Sequence, residues 1–416
     1  MTTTPVNACI VGGGPAGLML GLLLAKRGAD VLVLEGHENF DREFRGEVLQ
    51  PSTAHLLDEL GLLQYVLAQP HSLLDAGKVR LNGREIGEFL FKRIAPEYPY
   101  AIWMPQPIFL DALLRKAQPF PSFKCWMGAK VTELVEEGGR VVGVRGRRHG
   151  SEDFEVRADV VVGADGRYSA VARLGGFETE YEHHDFDVIW FTIDQPPGWS
   201  STFYVSLGKV RGLMLPKYPQ QIQAGILLPT GEWRRWRQDG VAAVAERVRQ
   251  FDPIFAPFAS SLTDFKPFFP LEGIIRFVRD WARDGLLLIG DAAHTMSPAG
   301  AIGVNVAIAT AAVAAQVLLP HLGKGPIPHD VLAQVQRLRE EDVRTLHRLQ
   351  LGAQRVLLGQ GSANPLVRWL APRLLPILLR SPLLPRVQRR IFFGAPLPPL
   401  DRAFSFREPA GAAAAS

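Results

Sequence analysis

The hydrophobic and polar positions of this chain follow two alternating patterns. In the first, an apolar run over residues 6–11 predicts a buried strand, the Leu- and Ala-rich stretch 18–27 predicts a helix, and residues 30–34 predict the next strand. A strand, a helix and a second strand of about 30 residues form a βαβ unit, whose two strands lie parallel. Further helices are predicted over 53–62, 107–118, 241–250 and 303–319, and further buried strands over 156–162 and 286–289.

The second pattern consists of short alternating runs, which are typical of antiparallel strands. It occupies residues 77–100 and again residues 181–270. A parallel-sheet domain that is interrupted twice by pieces of a β-rich domain accounts for this order, so we predict an α/β fold, an α+β mosaic. The short strands are predicted over 78–81, 85–91, 129–135, 140–146, 188–193, 201–207, 211–215 and 222–228.

Composition limits the classes of protein to which the chain can belong. With 416 residues, 47% of them apolar and 21% charged, it has the composition of a globular protein with more than one domain. Its two cysteines exclude a disulfide framework. Because no run reaches 18 consecutive apolar residues and no basic segment precedes residues 6–11, we expect no membrane-spanning helix, no secretory signal and a cytoplasmic location.

The net charge of +4 is concentrated near the C-terminus. Residues 364–394 hold six Arg and no acidic residue, interleaved with apolar residues and broken by five prolines. Two interpretations fit: short amphipathic helices that pack on the fold, or a segment that contacts a membrane surface peripherally. Nucleic-acid binding is not expected, since no basic face extends over a whole domain. No metal-ligand spacing is recognisable, so no metal is expected.

The first of three glycine motifs lies between the strand at 6–11 and the helix after it. Gly12 permits a tight turn, Gly14 lets the backbone approach a pyrophosphate, and Gly17 allows the helix to pack close to the strand. The phosphates of a dinucleotide then face the helix N-terminus, where free N–H groups favour negative charge. Glu35 ends the next strand, where its carboxylate can accept from ribose hydroxyls and would repel the 2′-phosphate of NADP.

Two later motifs each follow a predicted buried strand. Gly163-Ala164-Asp165-Gly166 follows the strand at 156–162, and Gly290-Asp291 follows the strand at 286–289. In open parallel sheets, ligands bind beyond the carboxyl ends of the strands, which is where both motifs stand. The third motif then continues into a predicted helix through Pro298, Gly300, Gly303, Val304 and Asn305.

The three motifs in this order resemble the FAD-dependent aromatic hydroxylases, the single-component flavoprotein monooxygenases of the p-hydroxybenzoate hydroxylase type. The resemblance covers residues 6–320 and implies that the bound dinucleotide is FAD. It also implies a Rossmann-like FAD-binding domain, a β-rich substrate domain and a helical basic C-terminal segment. The expected boundaries are 1–76, 101–180 and 271–340 for the FAD-binding domain, 77–100 and 181–270 for the substrate domain, and 341–416 for the C-terminal segment.

The resemblance also implies roles for individual residues. Asp291 would hold the ribityl chain of FAD, and the loop before residue 303 would face the flavin ring. Helix N–H groups there would stabilise the negative charge of reduced flavin. Asp165 belongs to a motif associated with both FAD and NAD(P)H. The implied FAD contacts are Gly12, Gly14, Pro15, Ala16, Gly17, Glu35, Arg45, Gln106, Asp165, Gly290, Asp291, Pro298, Gly300, Gly303, Val304 and Asn305.

The chain departs from the family pattern at two places near the flavin. Family members often have Gly-Gly-Gln-Gly where this chain has Gly300-Ala301-Ile302-Gly303, and Asp where it has Thr310. The family also has a histidine in the third motif. For His294, a structural, hydrogen-bonded role is favoured over that of a catalytic base.

The implied reaction has two stages. NADPH or NADH reduces FAD, and the reduced flavin reacts with O₂ to give a C4a-hydroperoxide that transfers OH to an aromatic ring. No protein nucleophile is needed, so no catalytic residue is assigned. Because the β-rich segments carry apolar side chains and no obvious arginine for a carboxylate, we expect a lipophilic phenol, polyketide or quinol as substrate. The predicted pocket residues are Trp190, Phe191, Phe203, Tyr204 and Met214, about half of which would face away because side chains alternate along a strand.

Two other kinds of function remain open from the residues alone. A flavin-dependent halogenase, or an FAD-dependent oxidase or reductase, shares the fold and the first motif. The string Trp233-Arg-Arg-Trp236 does not match the Trp-x-Trp-x-Ile pattern of halogenases. From a different class, the chain could be a non-catalytic FAD-binding partner protein, an interpretation against which the glycines at 300 and 303 argue.

Overall fold

A computed structural model of the chain describes residues 2–41, 48–199, 201–298, 300–357, 388–389 and 397–407. Its strands are β1 (Thr2–Val11), β2 (Val31–Leu34), β3 (Val48–Leu49), β4 (Ser72–Leu74), β5 (Ala76–Leu81), β6 (Arg84–Leu90), β7 (Ala101–Trp103), β8 (Phe123–Trp126), β9 (Ala129–Glu137), β10 (Arg140–Arg148), β11 (Glu152–Gly163), β12 (Thr179–Asp194), β13 (Thr202–Leu207), β14 (Arg211–Lys217), β15 (Gln221–Pro229), β16 (Phe269–Val278), β17 (Ala282–Arg283), β18 (Leu286–Leu288) and β19 (His294–Thr295).

The helices lie between these strands and after the last of them. They are α1 (Pro15–Lys26), α2 (Pro51–Glu59), α3 (Leu63–Leu67), α4 (Phe91–Ile94), α5 (Gln106–Ala117), α6 (Ala170–Leu174), α7 (Glu232–Gln238), α8 (Val241–Phe251), α9 (Ala256–Ser261), α10 (Gly303–Leu318) and α11 (His329–Leu357). Short 3₁₀ turns cover Pro253–Phe255, Gly290–Ala292, Leu319–His321 and Arg402–Phe404.

The first sheet is the parallel sheet that the βαβ pattern predicts. Its central strands run in the order β18, β11, β1, β2, β8, and every neighbouring pair among them is parallel. Cys9, in the middle of β1, pairs with Leu32 on one side and Val161 on the other, and all three are fully buried. Burial on both faces explains why these strands read as continuous apolar runs.

Two apolar helices cover this sheet. Nearly every residue of α1 is buried, and it packs between α5 and α10. The segment Gly303–His321, which contains α10, is long and apolar enough to cross a membrane by length and composition, with a mean hydropathy of 1.7. In the fold 67% of that window is buried, against α1, α2 and α11, as in the core helix of a globular domain.

The second sheet has the order β19, β16, β12, β15, β14, β13, β5, β6. All of its neighbouring strands are antiparallel except β13 and β5. One face packs on α7, α8 and α9 through a core that includes Phe191, Met214 and Phe255. The opposite face turns toward the first sheet. A third, three-stranded sheet, β3-β7-β4, lies beside it and buries Trp103.

The structure confirms the α/β class and most predicted elements, with boundaries shifted by a few residues. The helix predicted over 53–62 is Pro51–Glu59, and the strand predicted over 188–193 is the centre of β12. Two elements cross the predicted domain boundaries. β16 passes residue 270 and joins the second sheet, and α11 passes residue 340 as one helix that begins at His329. The arginine-rich segment 364–394 lies outside the described residues except for 388–389.

We predict that acidification destabilises the fold through two buried histidines. His294 on β19 and His347 on α11 are 1% exposed. Burial, with the nearby cationic groups, lowers the pKa of His294 from 6.5 to about 3, and burial lowers the pKa of His347 to about 4. Between pH 6.5 and these values the unfolded chain therefore binds more protons than the folded chain, and stability falls as pH falls.

The test compares urea unfolding of the wild-type and His294→Asn proteins at pH 7.5, 6 and 5. Removing one such histidine should reduce the pH dependence by up to about 1.4 kcal/mol per pH unit, which corresponds to one proton. Other acidic groups titrate equally in both proteins and cancel in the difference. Parallel curves for the two proteins would contradict the prediction.

Candidate active site

The three glycine motifs emerge side by side because their strands are neighbours. β18, β11 and β1 are adjacent and parallel, so their carboxyl ends meet at one edge of the first sheet. Backbone hydrogen bonds link the strand ends: Ala164 N donates to Val11 O at 2.7 Å, and Ile289 N donates to Gly163 O at 2.9 Å. Residues far apart in sequence therefore converge on one place, as expected for a ligand site of an open parallel sheet.

A cavity of about 770 Å³ begins at this edge. It runs from the turn after β1 to the inner face of the second sheet, and its volume lies in the range of small-molecule and cofactor sites. It is lined by most of the residues predicted to contact a dinucleotide: Gly12, Gly14, Pro15, Ala16, Glu35, Gln106, Asp165, Gly290, Asp291, Pro298, Gly300, Gly303 and Val304.

The three glycines of the first motif differ in what surrounds them. Gly12 has φ +110°, and a Cβ there would lie 2.3 Å from the Ala164 carbonyl oxygen. At Gly17 a Cβ would lie 1.9 Å from the Gly12 oxygen, so this glycine sets how closely α1 approaches β1. At Gly14 a Cβ would meet no protein atom within 4 Å, and Gly14 lines the cavity. Gly12 and Gly17 serve packing, whereas Gly14 keeps space for a ligand.

Glu35 stands at the end of β2 with its carboxylate against the glycine turn. It is 2% exposed, and its Oε2 accepts from the Gly13 N–H at 2.9 Å. Its Oε1 accepts from the His37 N–H at 2.9 Å and lies 2.7 Å from His37 Nδ1. These contacts fix the carboxylate at the cavity wall, where it can accept from a sugar hydroxyl.

Asp165 lines the cavity and also caps a helix. Its carboxylate accepts from the N–H groups of Ala170 at 2.7 Å and Val171 at 3.1 Å, at the start of α6, and from the Ser169 hydroxyl. Burial raises the pKa of Asp165, and these hydrogen bonds oppose the rise. The cap accounts for an aspartate followed by a serine at this spacing.

The third motif lies beside the first, since a Cβ at Gly290 would be 3.2 Å from the Ala16 Cβ at the start of α1. Gly290 has φ +59° and turns the chain from β18 into the short turn that holds Asp291. Gly303 and Val304 open α10 at the cavity wall. Ala301 adopts φ +50°, a conformation that suits glycine better. This strain falls where the hydroxylase family often has glycine.

Asn305 does not line the cavity, contrary to its predicted role as a flavin contact. Its Oδ1 accepts from the Gln50 N–H at 2.8 Å and from the Thr53 hydroxyl at 2.6 Å. Its Nδ2 donates to the oxygens of Val48 at 3.0 Å and Ala301 at 2.8 Å. This amide therefore makes all four of its hydrogen bonds within the protein, and they hold the loop before α10 against β3 and α2. Gly17 is likewise a packing residue beneath the site.

The second sheet closes the far end of the cavity, and the alternation of its strands decides which predicted pocket residues reach it. Trp190 and Phe203 line the cavity. Phe191, Tyr204 and Met214 do not, because each is the next residue on a strand and points into the core with α8 and α9. Two other FAD contacts were predicted, Arg45 and Gln106. Gln106 is the first residue of α5 and lines the cavity, and Arg45 lies outside the described residues.

The geometry therefore fits a bound dinucleotide. The first residues of α1 and of α10 both line the cavity at the carboxyl edge of the first sheet. A family model described as "FAD binding domain" matches residues 5–339. The chain belongs to this FAD-binding family. FAD, when bound, supplies redox chemistry and oxygen activation that side chains lack.

Several relatives that match across most of the chain are monooxygenases. The chain is 37% identical over 393 residues to 6-methylpretetramide 4-monooxygenase of Streptomyces rimosus, covering 93% of this chain and 92% of the relative. It is 26% identical to para-nitrophenol 4-monooxygenase of a Pseudomonas species, covering 76% and 78%. The crystal structure of p-nitrophenol 4-monooxygenase from Pseudomonas putida has the same fold, with a TM-score of 0.79 at 20% identity, covering 95% of this chain and all of that one. The protein is accordingly an FAD-dependent monooxygenase of the aromatic hydroxylase type, a family in which NAD(P)H is the typical co-substrate.

Sequence patterns missed several residues of this monooxygenase that line the cavity. Gln50 is 2% exposed, and its side-chain N–H donates to the Gly300 oxygen at 2.7 Å. Gln350 on α11 bonds the Ser297 backbone twice, at 3.1 and 2.9 Å. A glutamine just before a helix with proline at its first position was the available signal for Gln50. Gln350 carries no such signal, because only tertiary packing brings α11 to the loop before α10 that contains Ser297.

His294 lies outside the cavity lining. It is buried beside Trp281, with ring centroids 4.7 Å apart, and its Nε2 lies 3.2 Å from the Thr310 hydroxyl. Thr310 also donates to the Val306 oxygen at 2.9 Å, so the residue that replaces the family's aspartate ties α10 to β19. This position supports a structural histidine and gives no path to a reacting atom.

Two alanine substitutions should separate packing from cofactor binding in the first motif. Gly17→Ala should destabilise the apo-protein by roughly 2 kcal/mol or more, because its Cβ overlaps backbone. Gly14→Ala should leave the apo-protein stable and weaken FAD binding, because its Cβ enters only the cavity. Urea unfolding of the apo-proteins and FAD titration followed by flavin fluorescence measure the two effects. An unfolding loss in Gly14→Ala equal to that in Gly17→Ala would be inconsistent with this division.

Proposed function

We propose that this monooxygenase hydroxylates a lipophilic phenol, polyketide or quinol, with electrons from NADPH or NADH and oxygen from O₂. The single observation that carries the proposal is an apolar chamber that continues the cofactor region of the cavity. Its walls come from the second and third sheets. In the residues that the structure describes, none of the chamber-lining side chains from β4–β7, α4 or β12–β16 is charged.

The chamber is built for flat aromatic ligands. Phe89, Phe91 and Phe203 line it together, with the rings of Phe89 and Phe203 5.0 Å apart and nearly edge to face. Gly77 makes this arrangement possible, because a Cβ there would lie 2.2 Å from the Phe89 ring. Aromatic walls of this kind favour stacking and edge contacts with a ring system.

Trp190 extends the aromatic wall across the centre of the second sheet. Its ring lies over Gly225 on the neighbouring strand, where a Cβ would be only 2.7 Å away. Leu213 and Leu215 of β14 complete this side of the chamber. Among the described residues, the side chains that line the chamber from the second and third sheets offer a small carboxylate no cationic partner, so this wall disfavours small aromatic acids.

The relatives agree with a phenolic or larger aromatic substrate. The Streptomyces relative is named for 6-methylpretetramide and the Pseudomonas relatives for nitrophenol. Neither name fixes the substrate of this chain.

The proposed FAD contacts are the cavity-lining residues of the three motifs, with Glu35 at the ribose, the start of α1 at the pyrophosphate and the start of α10 at the flavin.

Two alternative functions use the same cavity. A halogenase or an oxidase would bind FAD equally well and would differ in electron source and product. A non-catalytic FAD-binding protein would hold FAD without turnover. The uncharged aromatic chamber beside the flavin loop favours a hydroxylase over the non-catalytic alternative, since a cofactor-storing protein needs no second chamber.

Peripheral membrane contact through residues 364–394 stays a prediction from composition. Full-length protein should sediment with anionic lipid vesicles more than with neutral ones if the six arginines contact lipid, because each basic residue near an anionic surface adds about 1 kcal/mol. Replacement of all six arginines by glutamine keeps the chain length and provides the comparison. If both proteins remain in the supernatant to the same extent, the prediction of membrane contact through these arginines is wrong.

Asp291→Ala should reduce FAD retention. Loss of a charge-assisted hydrogen bond to the cofactor weakens binding by about tenfold or more. Asp280→Ala is the matched control, since Asp280 is an exposed aspartate outside the cavity lining. The measurement is the ratio of flavin absorbance to protein absorbance after purification. Full flavin content in Asp291→Ala would count against its assignment to the cofactor.

Anaerobic stopped-flow reduction of the bound flavin tests the enzyme reaction itself. We expect slow reduction by NADPH or NADH alone and faster reduction when a lipophilic phenol or quinol fills the chamber. Re-oxidation with O₂ should then yield a product heavier by one oxygen atom, detected by mass spectrometry. Flavin that is bound but reduced by neither nucleotide would favour the halogenase, oxidase or non-catalytic alternatives.

A further inference from the structure

The wall of the apolar chamber contains one buried amide, that of Gln223 on β15. Gln223 is 4% exposed and lines the cavity between Leu215 on β14 and Thr192 on β12, with which it is in register. Its Oε1 accepts from the indole Nε1–H of Trp103 at 3.1 Å. Trp103 is fully buried in the three-stranded sheet, so the donor cannot move away.

The partner fixes which way the amide points. The two ends of a glutamine amide look alike in shape, but an indole N–H can only donate. Trp103 must therefore face the amide oxygen of Gln223, and the amide NH₂ group takes the other direction. Among the described residues, that NH₂ group has no acceptor. The result is a fixed donor at the wall of the chamber.

A donor that lines a cavity and has no protein acceptor is available to a ligand in that cavity. The chamber residues Leu213, Leu215 and Leu227 offer no acceptor side chain. The hydroxyl of Thr192, which is in register with Gln223, accepts instead from Lys217 Nζ at 3.5 Å. An amide that stays unpaired in apolar surroundings costs free energy, which an oxygen on the substrate would recover. Such a group discriminates strongly against ligands that lack the oxygen.

We propose that the Gln223 amide NH₂ donates a hydrogen bond to a phenolic or carbonyl oxygen of the substrate, and that Trp103 acts as the positioning residue that aims it. This inference rests on the proposed function and deepens it. The chamber then selects a ring system with an acceptor oxygen on the edge that faces β15. Trp190 and Phe203 hold the ring through apolar contact.

The test uses the FAD-loaded full-length protein and two probes of matched size, 2-naphthol and 2-methylnaphthalene. Dissociation constants come from the change in flavin absorbance on titration. The wild-type protein should prefer the naphthol by roughly tenfold, as one buried hydrogen bond provides. Gln223→Leu should lower that preference to below about twofold, with little change for the methyl compound.

Two further variants separate the donor from the packing. Gln223→Met keeps the side-chain length and the apolar packing but has no N–H to donate, so it should also lose the preference. Gln221→Leu makes the same chemical change as Gln223→Leu, two residues away on β15 and outside the cavity lining, and should behave as wild type. Unchanged preference in both Gln223 variants would overturn the proposal.

Trp103→Phe tests the positioning role. It keeps a buried ring and removes the indole N–H, so the amide is free to turn. The naphthol preference should fall, and the same substitution should add nothing further in the Gln223→Leu background. An equal loss of affinity for both probes would show a purely structural role for Trp103. Failure of the wild-type protein to bind either probe would instead count against the lipophilic substrate class, and binding without naphthol preference would overturn the role of Gln223 alone.

Discussion

The structure depends on the close approach of α1 to β1 at the first glycine motif. Gly17 rests against the Gly12 carbonyl, and Gly12 rests against Ala164 at the end of the neighbouring strand. No side chain fits in either place. This contact aligns the start of a buried helix with the carboxyl edge of the parallel sheet, and so it orients the partial positive charge at which a pyrophosphate can bind.

The loop before α10, which lines the cavity, is held by amide side chains. Asn305 joins the loop before α10 to β3 and α2, Gln50 bonds the oxygen of Gly300, and Gln350 bonds Ser297 from α11. Each side chain is buried and satisfied, so the loop is fixed without using a charged group.

The second sheet divides its residues between two tasks by alternation. One face forms a core with α7, α8 and α9, and the other lines the apolar chamber. Trp190 and Phe191 are consecutive and serve opposite faces, as do Phe203 and Tyr204. The part of the chamber wall that β12, β14 and β15 supply is rigid, because the reverse face of these strands is packed against α7, α8 and α9. Rigid placement of an aromatic ligand beside the flavin is what hydroxylation requires of the protein.

The sequence by itself determined the fold class, the family and the cofactor, and it predicted most of the residues that line the cavity at the carboxyl edge of the first sheet. Those features depend on short sequence patterns, because a helix start, a strand end and a glycine at a tight turn can each be recognised from a few consecutive residues. Only the tertiary structure decided which faces of β12–β15 line the chamber. It also decided that Asn305 bonds β3, α2 and the loop before α10 and does not line the cavity, and that α11 reaches this loop. The direction in which the Gln223 amide points is likewise set by tertiary structure. It is set by Trp103, 120 positions away in sequence, through a hydrogen bond that no local pattern records.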